Sequence, residues 1–241
     1  MITLIRSLLL SVIFSISSKL IAVSTVPREE KLANASLYVS CVEITRELYY
    51  VDWFQPTPLS DYTPRLKQFT LRTSGMSPKH EYTGPRSIVL YDSPITEIGV
   101  DPPFAEAMLP SGSGDYLMIL AHGNLNGNRS IYFLNLRELS SSPNTLTVLN
   151  GTSARLESTV DSDSSERTLD IPPGLTGGIP IGERGQLTLE FVFRGDAKQW
   201  VFRDRFFRGP DQHLILILVP PKIAGSRDLI GRWVRGNPSD L

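Results

Sequence analysis

His80, His122 and His213 are the residues best suited to ligate a metal or to move protons near neutral pH. Zinc chemistry needs three or four convergent nitrogen, sulfur or oxygen ligands. The chain has no H-x-H or H-E-x-x-H pattern and a single cysteine, so these histidines read as turn and strand residues. The run Asp161-Ser162-Asp163-Ser164-Ser165-Glu166 offers oxygens for calcium, but it lacks the mid-loop glycine and the ligand spacing of an EF-hand. It reads as a solvated hairpin tip. Ser113 stands in Ser-Gly-Ser-Gly rather than in a nucleophile elbow. Gly174, Gly177, Gly178 and Gly182 fit neither phosphate-binding fingerprint. The expectation is a protein without catalytic, cofactor or metal residues.

Binding chemistry has one candidate. Leu48 to Phe54 (Leu-Tyr-Tyr-Val-Asp-Trp-Phe) is the densest aromatic cluster in the chain. On a strand, period two sets Tyr50 with Phe54 on one face and Tyr49 with Trp53 on the other. One pair must be core. The other is a candidate stacking platform for sugar rings, and Tyr50 and Trp53 are the candidate ligand-binding residues. Asn34, Asn128 and Asn150 open three N-x-[ST] sequons, relevant only in a eukaryotic secretory host.

The elements that would position these residues are strands. The organising stretch is Leu214 to Val219, six consecutive aliphatic residues closed by Pro220-Pro221 and too short to span a bilayer. Such a run reads as a strand buried on both faces. Tyr116 to Ala121 is a second, and Ile131 to Leu136 pairs back onto it as an internal hairpin strand with apolar residues on both faces. Leu187, Leu189, Phe191 and Phe193 alternate with polar residues, the clearest half-buried strand in the chain. Gln55 to Pro64 reads as a loop, Phe69 to Arg72 as a short strand, and Gly177-Gly178 as the start of a flexible segment. No stretch beyond the N-terminus has helical periodicity.

Leu139 to Asn144 is polar, contains Pro143, and separates two halves of about seven short strands each. The halves match in layout: Leu117 to Leu120 corresponds to Leu214 to Ile217, and Ile131-Tyr132 to Leu229-Ile230. The fold class is therefore all-β, with two antiparallel Ig-like β-sandwich modules in tandem, 25–139 and 144–241.

Of 241 residues, 41% are hydrophobic and 20% charged, with net charge −1, so no overall field favours nucleic acid. Acidic residues dominate 151–193 and arginines the segment beyond, as on solvated strand faces. At the N-terminus Arg6 precedes an apolar run from Ser7 to Ile16 and then small residues, the layout of a secretory signal peptide. Cleavage after Ala22-Val23-Ser24 removes residues 1–24, and with them Arg6 and Lys19, taking the charge from −1 to −3. No stable membrane span remains after cleavage. Cys41 has no partner for an intramolecular disulfide and sits in a strand-like setting, as a small buried hydrophobe.

Tyr82-Thr83-Gly84-Pro85, Ala105 to Pro110, Leu117 to Leu120, Leu149-Asn150-Gly151-Thr152, Ile171-Pro172-Pro173-Gly174, the Trp200 strand and the basic Arg227–Arg235 end follow one another in a familiar order. In this the chain resembles a group of uncharacterised exported β-rich proteins of Verrucomicrobia-type bacteria. That resemblance covers most of the mature chain, rests on turns and core strands, and implies no activity. A local one is carried by Arg129 to Leu139, which is similar to the last strand of the first domain in two-domain periplasmic pilus chaperones. In that family the strand serves donor-strand pairing. The long proline loops and the Gly-rich 174–185 segment depart from the chaperone pattern.

The expected function is that of an exported, non-catalytic binding or structural protein, whose partner is an envelope protein or a glycan. A carbohydrate-binding module and a periplasmic chaperone-like assembly factor are the alternatives. Intact-mass measurement of protein from the native host's periplasm or medium should show a chain beginning near Thr25. Full-length protein confined to the cytosol would refute export.

Overall fold

The computed structural model describes residues 32–42, 47–58, 60–71, 75–95, 100–111, 113–122, 129–142, 144–162, 165–181, 185–195, 198–208, 213–223 and 225–235. The expected leader and its expected cleavage site, Asn128, Asp163 and Gly182 lie outside them. Strands β1 (Ala33–Val42), β2 (Leu48–Phe54), β3 (Thr63–Phe69), β4 (His80–Gly84), β5 (Ser87–Tyr91), β6 (Ala105–Met108), β7 (Ser113–His122) and β8 (Arg129–Asn135) come first. A short helix, α1 (Leu136–Ser140), follows. Then come β9 (Thr145–Asn150), β10 (Leu156–Ser162), β11 (Ser165–Ile171), β12 (Thr176–Pro180), β13 (Gly185–Gly195), β14 (Lys198–Arg208), β15 (Leu214–Val219) and β16 (Ile230–Arg235). The fold is all-β.

The strands form four four-stranded sheets. Before α1 the orders are β4-β1-β7-β8 and β3-β2-β5-β6; after it they are β12-β9-β15-β16 and β11-β10-β13-β14. Shifting every strand number by eight converts the first pair of orders into the second. The repeat seen in sequence is thus a repeat of topology. The sheets are antiparallel-rich, with one parallel pair in each half, β1 with β7 and β9 with β15.

Alternation assigns each side chain to a layer. In β7, Tyr116, Met118 and Leu120 enter a core shared with Leu48, Tyr50, Ile88 and Leu90 of the facing sheet. In β15, Leu214, Leu216 and Leu218 do the same against Leu156, Leu187, Leu189 and Phe191. The residues between them, Leu117, Ile119 and Ala121 against Ile215, Ile217 and Val219, meet in a third cluster drawn from both halves. The two inner sheets therefore pack back to back. That is why β7 and β15 read as unbroken apolar runs: each is buried on both faces.

Several expectations change. Residues 63–69 form β3 where a loop and a shorter, later strand were expected. Pro64 is tolerated because β3 ends its sheet and needs no ladder donor on the outer side. Gly177 and Gly178 lie in edge strand β12 rather than in a flexible segment. At Gly177 a Cβ would come within 2.8 Å of Ile171, so the glycine permits close approach of that side chain. The linker carries a helix, α1, because the Asn135 side chain caps its first turn, accepting from the amides of Arg137 (3.0 Å) and Glu138 (3.4 Å). Finally, β8 is not internal. Among the described strands it pairs with β7 alone and ends its sheet.

Leu216 is fully buried. Leu216→Ala should therefore lower unfolding free energy by about 2–5 kcal/mol in urea titration.

Candidate functional site

Tyr50 and Trp53 do not form a surface platform. They are 1% and 7% exposed, although period two sets them on opposite faces. Tyr50 stacks on Phe69 with ring centroids 4.3 Å apart and stands 6.2 Å from the Tyr82 ring. Its hydroxyl donates to the Glu81 carbonyl at 3.3 Å, and burial, with Asp52 and Glu81 adding to it, raises its pKa. Trp53 lies against the backbone of Gly84, where a Cβ would come within 3.0 Å of Trp53 Cδ1. Tyr49 is half-buried, and Phe54 is 40% exposed beneath the Arg65 guanidinium, 3.9 Å from its ring centroid. The sugar-platform expectation is corrected: these rings are core because β2 is an inner strand whose sheet faces β1 and β7.

The polar residue among them is the one that sequence reading passed over. Asp52 is 3% exposed yet ionically paired, to Lys67 Nζ at 2.8 Å and Arg65 Nη2 at 3.1 Å. Its other oxygen accepts from the Thr83 amide at 2.9 Å. Thr83 belongs to β4, the end strand of the opposite sheet. Lys67 Nζ and Tyr50 Oη both donate to the Glu81 carbonyl two residues away. Side chains of one sheet thus occupy outward backbone groups of the other, closing that side of the sandwich. Nothing in the 48–54 pattern marks Asp52 for this role except its place on the face of Leu48 and Tyr50.

The other candidates are structural. Burial pushes the Cys41 thiol up to about 11, against a smaller opposing effect of Arg232, which leaves little reactive thiolate. His80 Nε2 accepts from the Thr70 amide at 3.4 Å and stands edge-on to Phe69. His213 is buried at the junction of the two halves, far along the chain from His80. Asn150 is fully buried, and its sequon is a turn device. Its amide donates to Ala154 and Ile171 carbonyls at 2.8 and 2.9 Å, and its oxygen accepts from the Thr152 amide and hydroxyl at 3.0 and 2.6 Å. Asn34 is exposed. The side chains of Asp161 and Glu166, at the acidic hairpin tip, lie outside the described residues, as does that of His122.

What remains is backbone. Most end strands are blunted: β3 by Pro64, Arg65 and Lys67, β12 by Pro180, β11 by Arg167 and Asp170, and β16 by Arg232. On β14 the Val201 amide donates to the Arg227 carbonyl at 2.7 Å, and the Leu229 amide to the Val201 carbonyl at 3.0 Å. By contrast β8 runs Ser130-Ile131-Tyr132-Phe133-Leu134 with no charge or proline. Its Arg129 end is held where that guanidinium covers the Phe104 ring at 3.7 Å and donates to the Phe104 carbonyl at 3.4 Å.

No protein-family model matches the chain, and no curated protein does. Among solved structures it is similar to a leucine-rich repeat protein from Bacteroides thetaiotaomicron, at 8% identity and a TM-score of 0.18. That match covers 83% of this chain and 27% of the other protein, and a score so low carries no argument about fold or function.

Two variants separate core from site. Trp53→Ala should lose about 3–5 kcal/mol of stability, whereas an unchanged denaturation midpoint would return Trp53 to the surface. Asp52→Ala should lose about 1–3 kcal/mol, the paired cations being partly exposed and free to rehydrate, with Asp52→Asn milder because it still accepts from Thr83.

Proposed function

We propose that the chain is an exported, non-catalytic binding protein of two Ig-like modules that receives an extended segment of a partner along β8. The observation that carries this reading is the β8 edge, which ends the β4-β1-β7-β8 sheet and carries no charge or proline from Ser130 to Leu134, with β6 of the facing sheet beside it. A strand added there extends the ladder through main-chain hydrogen bonds, and alternate side chains set specificity. Ile131 and Phe133 lean on the first core while Tyr132 leans on the middle one, so the strand is held straight and in register. A partner thus meets a preformed template, which lowers the entropic cost of pairing.

The interior positions of Tyr50 and Trp53 favour this over a carbohydrate-binding module. The edge position of β8 favours the chaperone-like form of the reading. The partner class is then an envelope protein with an alternating apolar strand, and no cofactor takes part.

Hydrogen exchange tests it. In the purified protein every second amide of Ile131 to Leu134 should exchange faster than those of Leu214 to Val219, because β7 binds only alternate residues of β8. Solubilised host envelope should then protect those amides. Protection of all of them in the isolated protein, or none in any envelope fraction, would refute strand pairing.

A further inference from the structure

His213 is 4% exposed and immediately precedes β15. Its Nδ1 lies 3.1 Å from the Ser142 carbonyl and its Nε2 3.0 Å from the Thr147 hydroxyl. A carbonyl only accepts, so Nδ1 carries the hydrogen and Nε2 accepts from Thr147. The neutral ring is therefore satisfied at both nitrogens. Its partners belong to different parts of the chain. Ser142 lies in the segment joining the halves, just after α1, and Thr147 lies on β9 of the second half. Leu136 and Leu139 of α1 pack in the middle cluster between the inner sheets.

We propose that His213 is an acid-released latch that pins α1 and the connecting segment to the second half. The imidazolium would present a second N–H to Thr147. The hydroxyl must then turn to accept, giving up its own donor role, and a charge is enclosed in a dry site. The charged groups on the elements packed there are few. Arg137 and Glu138 on α1 are exposed, Arg235 stands opposite Leu214 in the ladder, and β9 and β12 carry none. Burial holds the ring's pKa below the ordinary histidine value, while the Ser142 and Leu139 carbonyls pull it the other way.

The sign follows. With the folded pKa below the unfolded value of about 6.5, the opened state binds more protons between the two. The latch is fully set above about 6.5 and loosens as pH falls from there through the folded pKa. Below that the loss is constant, tenfold for each unit of depression.

The experiment is hydrogen exchange of peptides covering 136–142 in the full chain at pH 7.5, 6 and 5, corrected for intrinsic rates, beside a ring-proton titration of His213 by NMR. Protection should fall several-fold on acidification, within the interval between about pH 6.5 and the midpoint of the His213 ring titration. His213→Gln, whose amide can donate to Ser142 and accept from Thr147, should abolish the pH dependence, and His80→Gln should leave it intact. Flat protection in the native protein, an unaltered fall in His213→Gln, or a fall centred outside that interval would overturn the latch. Should His213→Gln fail to fold, the position of the fall against that interval in the native chain decides alone.

Discussion

Everything in this molecule depends on two runs having no solvent face, Tyr116 to Ala121 of β7 and Leu214 to Val219 of β15. β7 and β15 each send alternate side chains into their own sandwich and the intervening ones into the seam between sandwiches. At roughly 25 cal/mol per Å² of apolar surface removed from water, a strand buried twice contributes about double the stabilisation of one buried once. The arrangement also restricts composition. A polar side chain on either strand would need a partner in one of two dry layers, and along Leu214 to Val219 there is none.

The seam makes a single object of what is topologically a duplicated unit. Strand order, the one parallel pair and the antiparallel remainder recur in both halves. The differences lie where the halves meet solvent. In the second half the β14 edge is hydrogen-bonded to the segment preceding β16, and Trp233 donates to Asp204 at 2.7 Å across the same gap. Phe202 lies over Gly231, where a Cβ would come within 2.1 Å of its ring. In the first half the corresponding side has β6 beside β8, and Arg129 reaches across it to the Phe104 ring and carbonyl. Divergence between the copies, rather than the shared fold, is what distinguishes one edge.

Sequence carried much of this and missed its geometry. The apolar runs and the correspondence of 117–120 with 214–217 are legible because burial on two faces leaves a composition signal in consecutive residues. The β8 edge is not. Ile131 to Leu134 are apolar because they touch two cores, and the same pattern describes an internal strand and an edge strand alike; only the ladder on the outer side separates them. The aromatic cluster failed for a related reason. Period two sorts residues by face, but at the end of β2 both Tyr50 and Trp53 are covered. Asp52 was unreadable because its partners, Arg65, Lys67 and Thr83, come from two other strands.

The pairing of β1 with β7 has a consequence for biogenesis. β1 is the first strand of the described chain, yet one of its two ladder partners is the penultimate strand of the same half. As the chain emerges from a ribosome, β1 cannot complete its sheet until β7 has followed. Contacts of such long sequence separation slow folding, because loop closure must precede their gain. The topology therefore delays completion of the inner sheet until nearly the whole first half has been synthesised.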